Sequence, residues 1–194
     1  MEHPFTMVVS GQTGCGKTHF IGKLLEHNTN FSRIIFAYTM FQPIYKKFLR
    51  IPCLELHEGF PEDLELDGTP TLLILDDMMM ENDKLLAKFF TRMRHANLST
   101  IFVMQNFYFD SKYMRTVTRN AHYLVLFSNP RDMSMINCLG RQMFPEKSKF
   151  LPDAFRQATE KPFGYLFLDC KPNSKYRVKE GVFPDEEQFI YKPA

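Results

Sequence analysis

The stretch Gly11-Gln12-Thr13-Gly14-Cys15-Gly16-Lys17-Thr18 constrains this chain more than any other, because it fits the phosphate-loop pattern G-x-x-x-x-G-K-[ST]. Its flanks have the order the motif needs. Thr6-Met7-Val8-Val9-Ser10 is a short apolar run of strand type, and Phe20, Ile21, Leu24 and Leu25 recur at helical spacing downstream. Strand, glycine loop and helix therefore follow one another. The glycines let backbone N–H groups turn inward around phosphates, and the helix N-terminus adds partial positive charge. In that pattern residues Gly11 to Thr18 cradle a nucleoside triphosphate, Lys17 reaches its β- and γ-phosphates, and Thr18 bonds to Mg2+.

A second anchor lies at Thr71-Leu72-Leu73-Ile74-Leu75-Asp76-Asp77, an apolar run ending in paired acids. In phosphate-loop enzymes a buried strand carries an aspartate at its C-terminal end to hold the Mg2+ shell, and a following acid polarises the attacking water. Asp76 suits the first role and Asp77 the second; in isolation the pair would equally suit a helix cap. Ser99 to Met104 is a further buried strand, ending in Gln105 and Asn106. If that strand lies beside the one feeding the loop, Gln105 faces the γ-phosphate; otherwise the amides begin a turn.

The remaining segments alternate. Arg33 to Tyr38 and His122 to Phe127 read as strands, and Pro43 to Leu49 as a helix. The region from Ile51 to Gly68, acidic and punctuated by Pro52, Gly59, Pro61 and Gly68, reads as short structure and loops. Leu85, Leu86, Phe89, Phe90 and Met93 mark one helix face, with Glu81 and Asp83 favourably placed in its first turn. Helices follow through Met135 and Leu139 and over Lys147 to Ala158, the latter interrupted by Pro152. Phe163 to Asp169 and Tyr176 to Phe183 form an expected C-terminal β-hairpin. Such alternation implies an α/β three-layer sandwich. With 194 residues and 44% hydrophobic content the chain supports one substantial core, so a single domain spanning 1–194 is expected.

Charge is balanced overall at +2 but unevenly placed. Residues 92 to 131 carry Arg92, Arg94, Lys112, Arg115, Arg119 and Arg131 against Asp110 alone, whereas 54 to 67 carry six acids and no Lys or Arg. These segments either complement each other between subunits or form two solvated faces. Lys112, Arg115 and Arg119 recur at helical spacing and present a basic edge, to DNA phosphates or to solvent. Phe107-Tyr108-Phe109 either stacks on bases or packs in the core. The cysteines Cys15, Cys53, Cys138 and Cys170 are widely spaced, with one inside the loop, which reads as a reduced intracellular protein. No zinc spacing, signal peptide or membrane span is read, and His19, His57 and His122 read as packing or surface residues. A GTPase N-K-x-D and an ABC-type L-S-G-G-Q are both absent from the sequence.

The paired acids and Gln105 point to the additional-strand (ASCE, RecA-like) class of P-loop NTPases. Within it the chain resembles FtsK/HerA-type ATPases, and more closely the viral genome-packaging ATPases of poxviruses and Maverick/Polinton elements. The carrying segments are Gly11 to Thr18, Leu72 to Met78, Phe90 to Ser99, Val103 to Asn106, Asn120 to Asp132 and Lys161-Pro162-Phe163-Gly164-Tyr165. The resemblance implies ATP hydrolysis with Mg2+ that drives double-stranded DNA into a capsid, by a homo-oligomeric ring of five or six subunits recruited to a capsid vertex protein. It implies a place inside the host at the site of virion assembly, with possible association with the virion. An arginine supplied in trans would complete each site; Arg94, by its place before Gln105, best matches it, with Arg92 the alternative. One departure is that many FtsK/HerA relatives carry Asp-Glu where this chain has Asp76-Asp77. The alternatives are a cellular HerA-like translocase or helicase, and a nucleotide-gated assembly protein with negligible turnover.

Overall fold

Long runs of apolar residues with no polar alternation can be buried on both faces of a sheet, and strands separated by helices pair in parallel. The computed structural model follows this rule among strands β2 to β5 and departs from it at β6 and β7, which pair antiparallel across intervening helices; it describes residues 1–27, 30–78, 84, 86–87, 89–91, 97–107, 112–175 and 177–193, with residues 112 and 113 described by backbone alone. The strand order is β3-β2-β4-β5-β1-β6-β7-β8-β9. The chain divides into two units: 1–8, 18–104 and 109–121 form the first, and 9–17, 105–108 and 122–194 the second. Strand β1 (Thr6–Ser10) is continuous from one to the other, and all five of its residues are buried.

In the first unit, β2 (Arg33–Tyr38), β3 (Leu54–Glu58), β4 (Thr71–Asp76) and β5 (Leu98–Met104) pair in parallel. Every residue of β4 and β5 is buried, as their unbroken apolar sequences require. The register sets Tyr38 beside Asp76 and Asp76 beside Val103, so β2, β4 and β5 end together. Strand β5 lies between β4 and β1, which is the inserted strand expected of the additional-strand class. Helix α1 (Lys17–His27) buries Phe20, Ile21, Leu24 and Leu25, and its Gly22 admits the Phe48 ring, 3.2 Å from where a Cβ would stand. Phe48 belongs to the helix expected from Pro43, which runs Pro43–Arg50 and is of the 3-10 type. Leu86, Phe89 and Phe90 are helical and buried as expected, whereas Glu81, Asp83, Leu85 and Met93 lie outside the described residues.

Strand β3 is the short structure in the region read as short structure and loops, though no strand was assigned there. Its sequence, Leu-Glu-Leu-His-Glu, buries Leu54 alone, and as the first strand of the sheet order it has a partner on one side, β2, so it lacks the apolar run that betrays an inner strand. Helix α2 (Lys112–Arg119) buries Met114 and Val117 and exposes Arg115 and Arg119.

In the second unit, β6 (Tyr123–Phe127) pairs antiparallel with β7 (Tyr165–Asp169), β7 with β8 (Val178–Glu180), and β8 with β9 (Phe189–Tyr191). The expected terminal hairpin is thus extended by a third strand. Helix α3 (Met133–Met143) packs on α4 (Phe150–Ala158), and α4 on β7. Pro152 does not interrupt α4: it is the third residue, where the missing N–H would have had no intrahelical acceptor. Among the described residues no helix is long and apolar enough to cross a membrane, and no group of three or more His, Cys, Asp or Glu could hold a metal ion. All four cysteines are free thiols.

Candidate nucleotide site

The phosphate loop joins β1 to α1, and its glycines answer to geometry. Gly14 and Gly16 have φ of 80° and 109°, in the region that L side chains rarely adopt. At Gly11 the constraint is close approach, since a Cβ would lie 2.5 Å from Phe127 Cβ and 2.7 Å from Cys15 Sγ. A Cβ on Gly16 would stand 3.1 Å from Phe163 Cδ1 and 3.4 Å from Phe127 Cε1. Two aromatic rings of the second unit therefore back the loop. Gln12, Thr13 and Gly14 are exposed, and Cys15 to Thr18 half-buried. The Lys17 ammonium donates to the carbonyls of Gly11 and Gln12, the latter at 3.0 Å. Burial pushes the Cys15 thiol up, outweighing the charge of Lys17, so it stays protonated near neutrality.

Asp76 and Asp77, in the first unit, end β4 in different environments. Asp76 is 7% exposed, and Tyr45, itself buried, donates its O–H to Asp76 Oδ2 at 2.7 Å. Burial first, then the Asp76 carboxylate, push the Tyr45 phenol far above the ordinary tyrosine range, so it remains a donor. Asp77 is exposed, and its backbone turns into the left-handed region at φ 55°. The Asp77 N–H donates to Val103 O at 3.1 Å, and the Thr39 hydroxyl donates to Asp77 O at 3.2 Å. These bonds pin the turn from both neighbouring strand ends. A non-glycine residue held there costs about 1–3 kcal/mol, a strain that clusters at functional sites.

Tyr45 was missed in the sequence because its partner lies 31 residues away. Its hydroxyl orients the carboxylate, and partners of this kind are worth about 10- to 100-fold in metal affinity or activity. With Asp76 as the Mg2+ ligand expected from the sequence, Tyr45→Phe would lower ATP turnover by about that factor and raise the Mg2+ concentration giving half the maximal rate. A variant within twofold of wild type across the Mg2+ titration would contradict the positioning role.

Gln105 follows β5 and is exposed, and the second unit fixes its backbone. The Asn129 amide, 3% exposed, donates to Gln105 O at 3.3 Å and to Asn106 Oδ1 at 3.1 Å. Asp132, 6% exposed, accepts the Phe107 N–H at 3.0 Å. Burial raises the Asp132 carboxyl, opposed by that N–H and by Asn129. Asn129 and Asp132 thus clamp the segment after β5, a role invisible in the sequence beyond the polar break Asn129-Pro130-Arg131-Asp132. Phe107 is completely buried and packs in the core, not on bases.

The other expected site residues are not all placed. Arg94, Arg92, Tyr108 and Phe109 lie outside the described residues, as does the side chain of Lys112. Arg115 and Arg119 are exposed one helical turn apart on α2. The six acids between 54 and 67 are all exposed, and Glu55 pairs with Arg33 at 2.7 Å.

No family model matches the chain, and no curated protein matches it. Solved structures do. The genome-packaging NTPase B204 of Sulfolobus turreted icosahedral virus 2 in complex with AMP is 18% identical, with a TM-score of 0.57 and all of both chains covered. B204 described as the DNA-packaging ATPase of Sulfolobus turreted icosahedral virus is 16% identical at a TM-score of 0.57, again over all of both chains. The cytoplasmic domain of the type VII secretion ATPase EccC from Thermomonospora curvata is 11% identical at a TM-score of 0.56, covering 97% of this chain and 25% of that one. With the strand order and the loop between β1 and α1, these likenesses give the conclusion that the chain has the α/β three-layer fold of the P-loop NTPases.

Proposed function

We propose that this chain is an ATP-hydrolysing motor that moves double-stranded DNA into a viral or virus-like capsid. One observation carries the hydrolytic part: β5, which Gln105 follows, stands between β4, which ends at Asp76 with Asp77 next, and β1, which feeds the phosphate loop. That order supplies the three strand ends an additional-strand ATPase uses. The packaging part is supported by the resemblance of the later segments, Phe90 to Ser99 and Asn120 to Asp132, to ATPases of poxviruses and Maverick/Polinton elements within the FtsK/HerA superfamily, and by the likeness to B204.

In this reading the loop N–H groups and Lys17 hold the β- and γ-phosphates, Asp77 orients the attacking water, and Gln105 reads the γ-phosphate. Thr18 and Asp76 hold Mg2+. The residues suit that ion: both offer hard oxygen donors, and Mg2+ is commonly bound through one or two protein ligands plus phosphate and water. Bound there, Mg2+ supplies neutralisation of charge on the phosphates. Arg94, or Arg92, is contributed by a neighbouring subunit, and Lys112, Arg115 and Arg119 contact DNA phosphates. The working form is a ring of five or six copies of a single ATPase domain, docked on a capsid vertex protein inside the host cell at the site of virion assembly.

Assembly tests the motor reading. A mass measurement with a non-hydrolysable ATP analogue and linear double-stranded DNA is expected to find a closed pentamer or hexamer, and a monomer under those conditions would contradict it.

A further inference from the structure

We infer that Phe163 is the stacking platform for the base of the bound nucleotide, a subsite that rests on the phosphate-loop reading above. Phe163 has φ of 63°, a conformation that a bulky aromatic residue adopts at a free-energy cost. The cost is not repaid by burial, since the side chain is 66% exposed. The turn that imposes it is tightly built. The Gly164 N–H donates to Lys161 O at 2.9 Å, and a Cβ at Gly164 would collide with the Ala158 carbonyl.

That turn aims the ring at the loop. From the position of a Cβ on Gly16, Phe163 Cδ1 is 3.1 Å away and Phe163 Cβ 3.4 Å, with the Phe127 ring at 3.4 Å from the same point. The two rings differ in what remains open: Phe127 is 2% exposed and serves the core, whereas Phe163 keeps most of its surface in water. Its neighbour Tyr165 is buried, with its hydroxyl donating to Glu186 Oε2. Phe163 is thus the ring beside the cradle that a ligand can cover.

The chemistry of the two surfaces matches the two ends of a nucleotide. The loop presents N–H groups to an anionic phosphate chain, and a flat apolar ring beside it receives the flat aromatic base at the other end. Every base has a π-face, so the platform separates nucleotides from simple polyphosphates and is tolerant between bases. Losing such a stack weakens binding by roughly 5- to 140-fold.

Calorimetric titration of the full chain with ATP and with inorganic tripolyphosphate tests this directly. Phe163→Ala is expected to weaken ATP binding by roughly 5- to 140-fold and to leave tripolyphosphate binding unchanged, which also shows that the variant is folded. The sequence contains no tryptophan, so Phe163→Trp adds a single reporter; its emission should be quenched by ATP and not by tripolyphosphate. Equal ATP affinity for Phe163→Ala and wild type, or Phe163→Trp emission indifferent to bound ATP, overturns the platform while leaving the loop reading in place. Wild-type protein that binds neither ligand overturns the loop reading itself.

Discussion

Lys17→Ala is expected to lower ATP turnover by at least about a hundredfold while leaving the fold intact. Removing one preorganised donor from charge that develops in a transition state costs about 10²–10³ in rate, or roughly 2.7–4 kcal/mol. In the proposed mechanism Lys17 is such a donor carrying a full charge, and it stands where the loop passes into α1. In the fold itself Lys17 contributes little. Its bonds run to two loop carbonyls, and the side chain is only half-buried. Substitutions of that kind stay within about 0.5 kcal/mol, so the thermal midpoint should move by about 2 °C or less. Turnover in Lys17→Ala at a tenth of wild type or higher would remove the loop from the chemistry.

Arg94→Ala is expected to cost about 10³–10⁵ in turnover, the range measured for arginines that neutralise charge on a transferred phosphoryl group. The informative experiment mixes subunits. An arginine acting within its own subunit leaves an Arg94→Ala and Lys17→Ala mixture as inactive as either alone. An arginine acting in trans restores part of the turnover, because a Lys17→Ala subunit lends its intact Arg94 to a neighbour with an intact loop. Recovery with Arg92→Ala in place of Arg94→Ala, and none with Arg94→Ala, would move the role to Arg92.

How much of this molecule was legible in its sequence depends on where each constraint originates. The runs Thr6–Ser10, Arg33–Tyr38 and Thr71–Asp76 announce themselves because strands in the interior of a parallel sheet must be apolar on both faces. Strand β3, with one buried residue, and strand β9, with Phe189 and Ile190 exposed, stand at the two ends of the sheet order and owe their structure to one neighbour each, so no local pattern marks them. The same division runs through the site. The phosphate loop is readable because its glycines answer to backbone angles and contacts at the loop itself, and Asp76 because a carboxylate ending an apolar strand is conspicuous. Asn129, Asp132 and Phe163 lie in segments that carry the resemblance, but their roles, like that of Tyr45, were not readable, since each contact comes from a partner brought by the fold from distant sequence, such as the Phe107 N–H for Asp132.

The central claim is that ATP hydrolysis in this chain is coupled to double-stranded DNA, and steady-state ATP turnover with and without linear duplex measures that coupling most directly. The account predicts Mg2+-dependent turnover that rises when duplex DNA is added and is lost in Lys17→Ala and Asp76→Ala. Turnover that is absent under both conditions, or that proceeds at the same rate with and without DNA, would contradict it.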